Sequence, residues 1–388
     1  MIERRVEIPP ANFTGYPVHT TLRISRERGK YKLELHALGT VATVPIDITP
    51  HDLAALKADF RREIEPFARQ SIGSKAPTAA DLQERLRPLA EVGHHAYMEI
   101  FGHRSALQTI QAIDRFGTRT YFEVASEDFF LPWELLYPNS LEESLSYEHF
   151  WGLNHIISRV IVQRNPAPLG IWPVIPFTSR PKLGLLVHHK LAAVTDKEIP
   201  FFNRLLREGR IALFELRALD PNKRLEELGE FKNFWGEGFH LAHFACHAFY
   251  EEESPAHSCI VLSDDFSISV RDLASYEVTI DNHPLIVMNA CETDNMNPLY
   301  SSHFAGALIK CGARGVVATE CTISDTFAAD FAQQLYEHLL AGEPLGESLL
   351  ATRRYFVEEL QNPSGLVYSM YAAPSIRLAK VDTQGEAT

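Results

Sequence analysis

From residue 182 onward, short runs of almost unbroken apolar residues alternate with segments of helical period. "KLGLLVHH" (182–189) precedes the helical "EIPFFNRLLREG", and "IALFELRAL" precedes "NKRLEELGEFKNFW". "FHLAHFAC" (239–246) and "PLIVMNAC" (284–291) are two further apolar runs. After them come the glycine-terminated helix "SSHFAGALIKCG", the run "ARGVVATE", and two helical segments over 324–342 and 345–360. A strand that is apolar at every position is covered on both faces, so this order predicts an α/β fold: a mostly parallel sheet with helices on each side. "CIVLSDDFSISV" (259–270) breaks the alternation and reads as a hairpin between two core strands.

The first part of the chain has a different pattern. Strand-like "VHTTLRIS", "KYKLELHAL" and "TVATVPIDI" are followed by two helical segments. Thr49-Pro50 supplies an N-cap and a proline at the first helical position, and Thr78 is a second cap candidate. "TRTYFEVA" and "HIISRVIV" add strands, with "LPWELLYP" between them; Trp133, flanked by leucines, is expected to be packed. Five prolines in 165–181 predict a linker without regular structure. The expected division is a smaller α/β or α+β bracing domain over 1–177 and a second domain over 178–388.

Charge and cysteine usage narrow the classes of function. The net charge of −13 and pI near 5.7 argue against a nucleic-acid surface. The start lacks the apolar core of a signal peptide, and no run reaches the roughly 18 apolar residues of a membrane span. Five cysteines, all beyond residue 245, are odd in number and do not resemble a disulfide framework. No nucleic-acid or membrane partner and a cytoplasmic location are therefore expected.

"HLAHFACHAFY" (240–250) concentrates three histidines and a cysteine. On a strand, His240 and Cys246 face one way, about 20 Å apart, while His243 and His247 face the other way, about 13 Å apart. One metal ion cannot gather that set, so no metal is expected. His240 and His243 lie inside the apolar run and read as histidines bonded within the fold, and Cys246 as a small buried thiol. His247 stands where the run ends, at the carboxyl end of a strand, where open α/β sheets place their ligand crevice. Cys291 stands in the same position on the next core strand. Thiol and imidazole side by side would form the minimum apparatus of a cysteine hydrolase. A buried Cys291 that never meets a histidine remains the alternative at this point.

"HFACHAF", the hairpin, "LIVMNACET", "GARGVVATE", the two helical segments after Ser324 and "YAAPSIRL" together resemble the CHAT family of caspase-like cysteine peptidases, over about 181–380. "LPWELLYP" resembles an element common upstream of CHAT domains. The resemblance implies a caspase-hemoglobinase fold, His247 as catalytic histidine, Cys291 as nucleophile, and the backbone amides of Ala248 and Cys291 as the oxyanion hole. It implies no cofactor, and it allows a degenerate caspase-like domain in the first half. The implied function is a cysteine endopeptidase acting on a protein substrate in bacterial signalling or defence. A catalytically inactive CHAT-fold scaffold or sensor is the alternative. Two departures stand out. Ala248 replaces the family's usual glycine, which would be strained if the position required positive φ. Cys321 replaces a common tryptophan and predicts an altered pocket wall.

Acidic residues flank the expected crevice: Glu292 and Asp294 after Cys291, and Glu320 and Asp325 after the next strand. In caspase-like folds these loops border the primary specificity pocket, so a buried carboxylate there would favour lysine or arginine before the scissile bond. "YEEESPAHS" (250–258) and "ETDNMNPLYS" (292–301) border the site and are candidates for control by an activating protein partner, a ligand or self-cleavage.

Overall fold

A computed structural model describes residues 18–68, 79–115, 120–162, 173–216, 224–249, 254–263, 266–289, 301–321 and 323–381. Strands β1 (Val18–Glu27), β2 (Lys30–Ala37) and β3 (Thr40–Ile46) form an antiparallel meander. Its two-residue turns, Arg28-Gly29 and Leu38-Gly39, hold positive φ at both positions, the geometry whose twist matches a tight hairpin. Helices α1 (Pro50–Ala68), α2 (Ala79–Phe101) and α3 (Arg104–Arg115) follow. The cap read at Thr49-Pro50 is present: Asp52 N–H donates to Thr49 Oγ1 at 3.2 Å, and Thr49 N–H to Asp52 Oδ2 at 2.9 Å. Thr78 lies outside the described residues.

Strand β4 (Thr120–Ser126), the single turn α4 (Trp151–Asn154) and strand β5 (Ile156–Ile161) complete a five-stranded sheet of order β3-β2-β1-β4-β5. Along β2, Tyr31, Leu33, Leu35 and Ala37 are buried and alternate with Lys30, Lys32, Glu34 and His36. That period of two gives the sheet one apolar face, which packs with Phe60, Leu86 and Ile110 of the three helices.

The second sheet begins after β6 (Val174–Phe177). Its elements are β7 (Lys182–Val187), α5 (Ile199–Arg207), β8 (Ala212–Glu215), α6 (Arg224–Phe234) and β9 (Leu241–Ala245). A small antiparallel sheet follows, made of β10 (His247–Phe249), β11 (Cys259–Ser263) and β12 (Phe266–Ser269). Then come α7 (Val270–Ser275), β13 (Leu285–Met288), α8 (Ser301–Cys311), β14 (Gly315–Thr319), α9 (Asp325–Leu340), α10 (Leu345–Leu360), β15 (Tyr368–Tyr371) and β16 (Arg377–Lys380).

The main sheet has the order β15-β14-β13-β9-β7-β8; every pairing is parallel except that of β15. Alternate residues of its central strands enter two separate cores. Leu241, Ala245, Leu285, Val287 and Val317 face α5, α9 and α10, while Ala242, Phe244, Ile286, Met288 and Val316 face α6, α8 and the hairpin β11–β12. Burying each such aliphatic side chain stabilises by about 1.5–3 kcal/mol. The unbroken apolar runs thus have their expected cause: a mostly parallel α/β sheet covered on both faces.

Two local features differ from the sequence reading. The described part of the proline-rich segment contains β6, which pairs in parallel with β16 and places Pro176 opposite Ala379. The prolines do not prevent it. The carbonyls of Pro173 and Phe177 accept from Arg377 and Val381 (2.8 and 2.9 Å), so the ladder does not depend on a Pro176 N–H. The strand ending in "FHLAHFAC" also stops earlier than expected, at Ala245, and His247 opens β10.

The two larger sheets meet where β5 lies against β15. Arg159 of β5 stacks over the Tyr371 ring at 5.8 Å. It also forms a bidentate pair with Glu134 (2.6 and 2.9 Å), and Arg353 of α10 donates to the same carboxylate at 3.1 Å. All three are buried, and one hydrophobic cluster runs from Leu22 to Leu378 through both sheets. Among the described residues no helix is long and apolar enough to cross a membrane.

Candidate active site

Three adjacent strands bring their carboxyl ends together. β9 lies between β7 and β13. The ladder extends past each end: His188 N–H donates to Ala245 O (2.8 Å) and Asn289 N–H to Phe244 O (2.7 Å). One edge of the sheet therefore carries His188, Cys246-His247 and Asn289 in neighbouring rows. His247 is half-buried, with its ring 5.1 Å from that of His188 in an edge-to-face arrangement. His188 is nearly enclosed, and its Nδ1 accepts from Lys190 N–H at 3.4 Å. Burial, then the neighbouring His247, holds the His188 imidazole below its usual range. Sequence reasoning passed over His188, although "LLVHH" has the same signal as the later strand: a histidine just past an apolar run.

The other histidines and the cysteine of "HLAHFACHAFY" are bonded or buried within the fold, as their places in the apolar run predict. His240 Nδ1 accepts from Lys182 N–H at 2.9 Å, and the ring also bonds the Pro176 backbone. Fully buried His243 places Nε2 2.5 Å from Glu198 Oε2. Cys246 is fully buried too; burial, then Glu198 and Cys259, pushes its thiol far above the usual range. Such a thiol supplies no thiolate at neutral pH. Ala248 pairs with Ile260 across β10–β11 and is not among the residues with positive φ, so alanine carries no left-handed strain here.

Cys291, Glu292 and Asp294 lie outside the described residues; Asn289 is the last one described on that strand. Asp325 opens α9, half-buried, directly after Ser324, whose Oγ caps the helix by accepting from Phe327 N–H at 3.2 Å. Glu320 is 3% exposed, accepts from Tyr371 Oη–H at 2.7 Å and lies 4.0 Å from Arg159 Nε. Burial raises its pKa, opposed by Arg159. Its carboxylate is thus engaged from inside the protein. Cys321 is a buried member of the core, and Trp133 is fully buried, as expected.

A chain of buried polar groups that the sequence did not suggest lies along β9 and β13. Glu198 accepts from His243 at Oε2 and from Asn289 Nδ2 at Oε1 (3.0 Å). Tyr368 Oη–H donates to Asn289 Oδ1 at 2.5 Å.

A probable protease of Vitiosangium sp. (strain GDMCC 1.1324) is 31% identical over 157 residues, which is 38% of this chain and 20% of that protein. Two crystal structures of the separase–securin complex of Saccharomyces cerevisiae are similar in shape, with TM-scores of 0.49 and 0.47 at 10% identity. They cover 93% and 92% of this chain, which spans 30% of their length in each case. The CHAT domain profile matches residues 144–371, more than half of the 388-residue chain, beginning ahead of β5 and ending with β15. The chain belongs to the CHAT domain family.

Proposed function

We propose that this protein is a caspase-like cysteine endopeptidase that cuts a protein substrate with His247 and Cys291. The observation that carries this reading is the parallel pairing of β9 with β13. It supports a site in which the segments Ala245–His247 and Met288–Asn289 leave the sheet side by side, with Cys291 two residues further along the sequence. His247 takes the Cys291 proton, and the thiolate attacks the scissile carbonyl, forming a C–S bond and an oxyanion. Amides of Ala248 and Cys291 are the proposed donors to that oxyanion. Collapse breaks the C–N bond as His247 protonates the departing amine. Water, deprotonated by His247, then cleaves the thioester and restores the thiol. His188, kept neutral by burial, packs against His247 without adding a second positive charge.

Specificity for a basic residue before the cut is part of this proposal. With Glu320 engaged by Tyr371 and Arg159, the preference falls to Asp325, Glu292 and Asp294. We place the activity in bacterial cytoplasmic signalling or defence, switched on by a protein partner, a ligand or self-cleavage at the loops 250–258 and 292–301. A peptidyl acyloxymethyl ketone is expected to label the wild-type protein and neither Cys291→Ala nor His247→Ala, with all three folded alike by circular dichroism. Equal labelling of Cys291→Ala would end the assignment. Absence of labelling with and without lysate of the source cells would favour a CHAT-fold scaffold or sensor.

A further inference from the structure

Glu198 is 2% exposed and makes no pair with a lysine or arginine among the described residues. A buried carboxylate without a cationic partner is costly unless donors surround it. Its two donors come from different strands. His243 lies on β9, four residues before His247, and Asn289 follows β13, two residues before Cys291. One carboxylate therefore ties together the two strands whose ends carry the proposed dyad.

The way Glu198 enters the core is also unusual. Residues Val194–Glu198 form a π-helical turn, closed by Ile199 N–H donating to Val194 O five residues back. Such wide turns insert a residue into a helix and are frequent at functional sites. Here the turn leads into α5 and directs Glu198 toward the sheet, while the adjacent Lys197 pairs with Asp330 at the surface (2.7 Å).

Every other member of the chain is fixed as well. The Asn289 amide is held at both ends: Nδ2 donates to Glu198 Oε1, and Oδ1 accepts the Tyr368 hydroxyl. The Tyr368 ring stacks on Phe331 at 3.8 Å. His243 packs edge-on against Tyr336 at 5.5 Å and tilted against Phe202 at 5.0 Å. His243 Nδ1 is buried without a hydrogen-bond partner, and its Nε2 faces Glu198. Such a buried, packed network is what holds a reacting group in position.

We propose that Glu198 is the positioning residue of this site: it holds the Asn289 side chain at the end of β13, two residues before Cys291, and so controls the reactivity of that thiol. The proposal rests on the Cys291–His247 reading above. The test is iodoacetamide alkylation of Cys291, followed by mass spectrometry as a function of pH, in the full chain. The variants are Glu198→Gln and Tyr368→Phe. The second keeps the Phe331 stack, loses only the hydroxyl, and serves even if Glu198→Gln does not fold.

In the wild-type protein the alkylation midpoint is expected to lie well below the free-thiol value of about 8.5. In each folded variant it should rise by about one unit, with labelling by the acyloxymethyl ketone slowed about 10- to 100-fold, the cost of a misplacement near 1 Å. Folded variants with a lowered melting temperature but wild-type midpoint and labelling would reduce Glu198 to a structural residue and overturn the proposal alone. A wild-type Cys291 that titrates as a free thiol would overturn the Cys–His reading and this proposal with it.

Discussion

Cys246 and His247 are adjacent in sequence, yet they face opposite demands. Cys246 packs with Ala242 and Phe244 in one core, where burial raises its thiol pKa. His247 opens a new strand at the sheet edge. Cys246→Ala is therefore expected to retain most peptide turnover at a stability cost of about 1 kcal/mol for the small cavity; loss of turnover in a stable Cys246→Ala protein would contradict this. Asp325→Asn should weaken any preference for arginine over alanine before the cut in a peptide library, whereas Glu320→Gln should act first on stability. A preference for aspartate would refute the acidic pocket and leave the dyad standing. His188 and His240 are both held below the usual 6.5, chiefly by burial. Unfolded imidazoles bind a proton near that value while the folded ones resist it. Their share of the stability is fully present above pH 6.5 and is lost as pH falls toward their folded values. Glu320, raised by burial, acts in the opposite sense. The melting temperature of His240→Asn should consequently fall less steeply than that of the wild-type protein between pH 7 and 5.5; identical slopes would show that His240 does not contribute.

At the scale of elements, the junction between the sheets depends on a few buried charges. Glu134, in the turn of "LPWELLYP", accepts from Arg159 of β5 and Arg353 of α10. Arg353 also donates to the carbonyls of Gly152 and Tyr368, so one guanidinium ties α4, α10 and β15. Removing the carboxylate would leave two buried guanidinium groups facing each other. Glu134→Ala should cost about 3–5 kcal/mol in chemical denaturation. Glu134→Gln, which keeps an acceptor, should cost less. A loss below about 1 kcal/mol in both would mean that water reaches the cluster after substitution. The motif thus acts as a clamp between elements, which explains glutamate between Trp133 and Leu135 in an otherwise apolar segment.

For the whole molecule, the relation of the two parts can be tested by cutting between them. A boundary near residue 178 is our proposal for the division of the chain, while β6–β16 pairing and the Glu134 cluster cross it. After a single engineered protease cut within 163–172, the two fragments should elute together in gel filtration and separate only in denaturant. Elution as two folded, independent species would show that the shared core contributes little.

The mostly parallel pairing and the two-sided burial of the second sheet were legible because period and continuity of apolar residues are local properties of the sequence. The cap at Thr49 was legible for the same reason. Sequence also distinguished His247 from His240 and His243, since the end of an apolar run marks the end of a strand. It did not show that Glu198, His243 and Asn289 meet, because their contact joins residues 45 and 91 positions apart. Nor did it show that the charge of Glu320 is answered by Arg159, or that Pro176 sits in a strand. Local pattern determines which elements form and which face each buries. Which polar groups share a core is decided only when distant strands pack, since a buried charge takes whichever donors the tertiary fold brings to it.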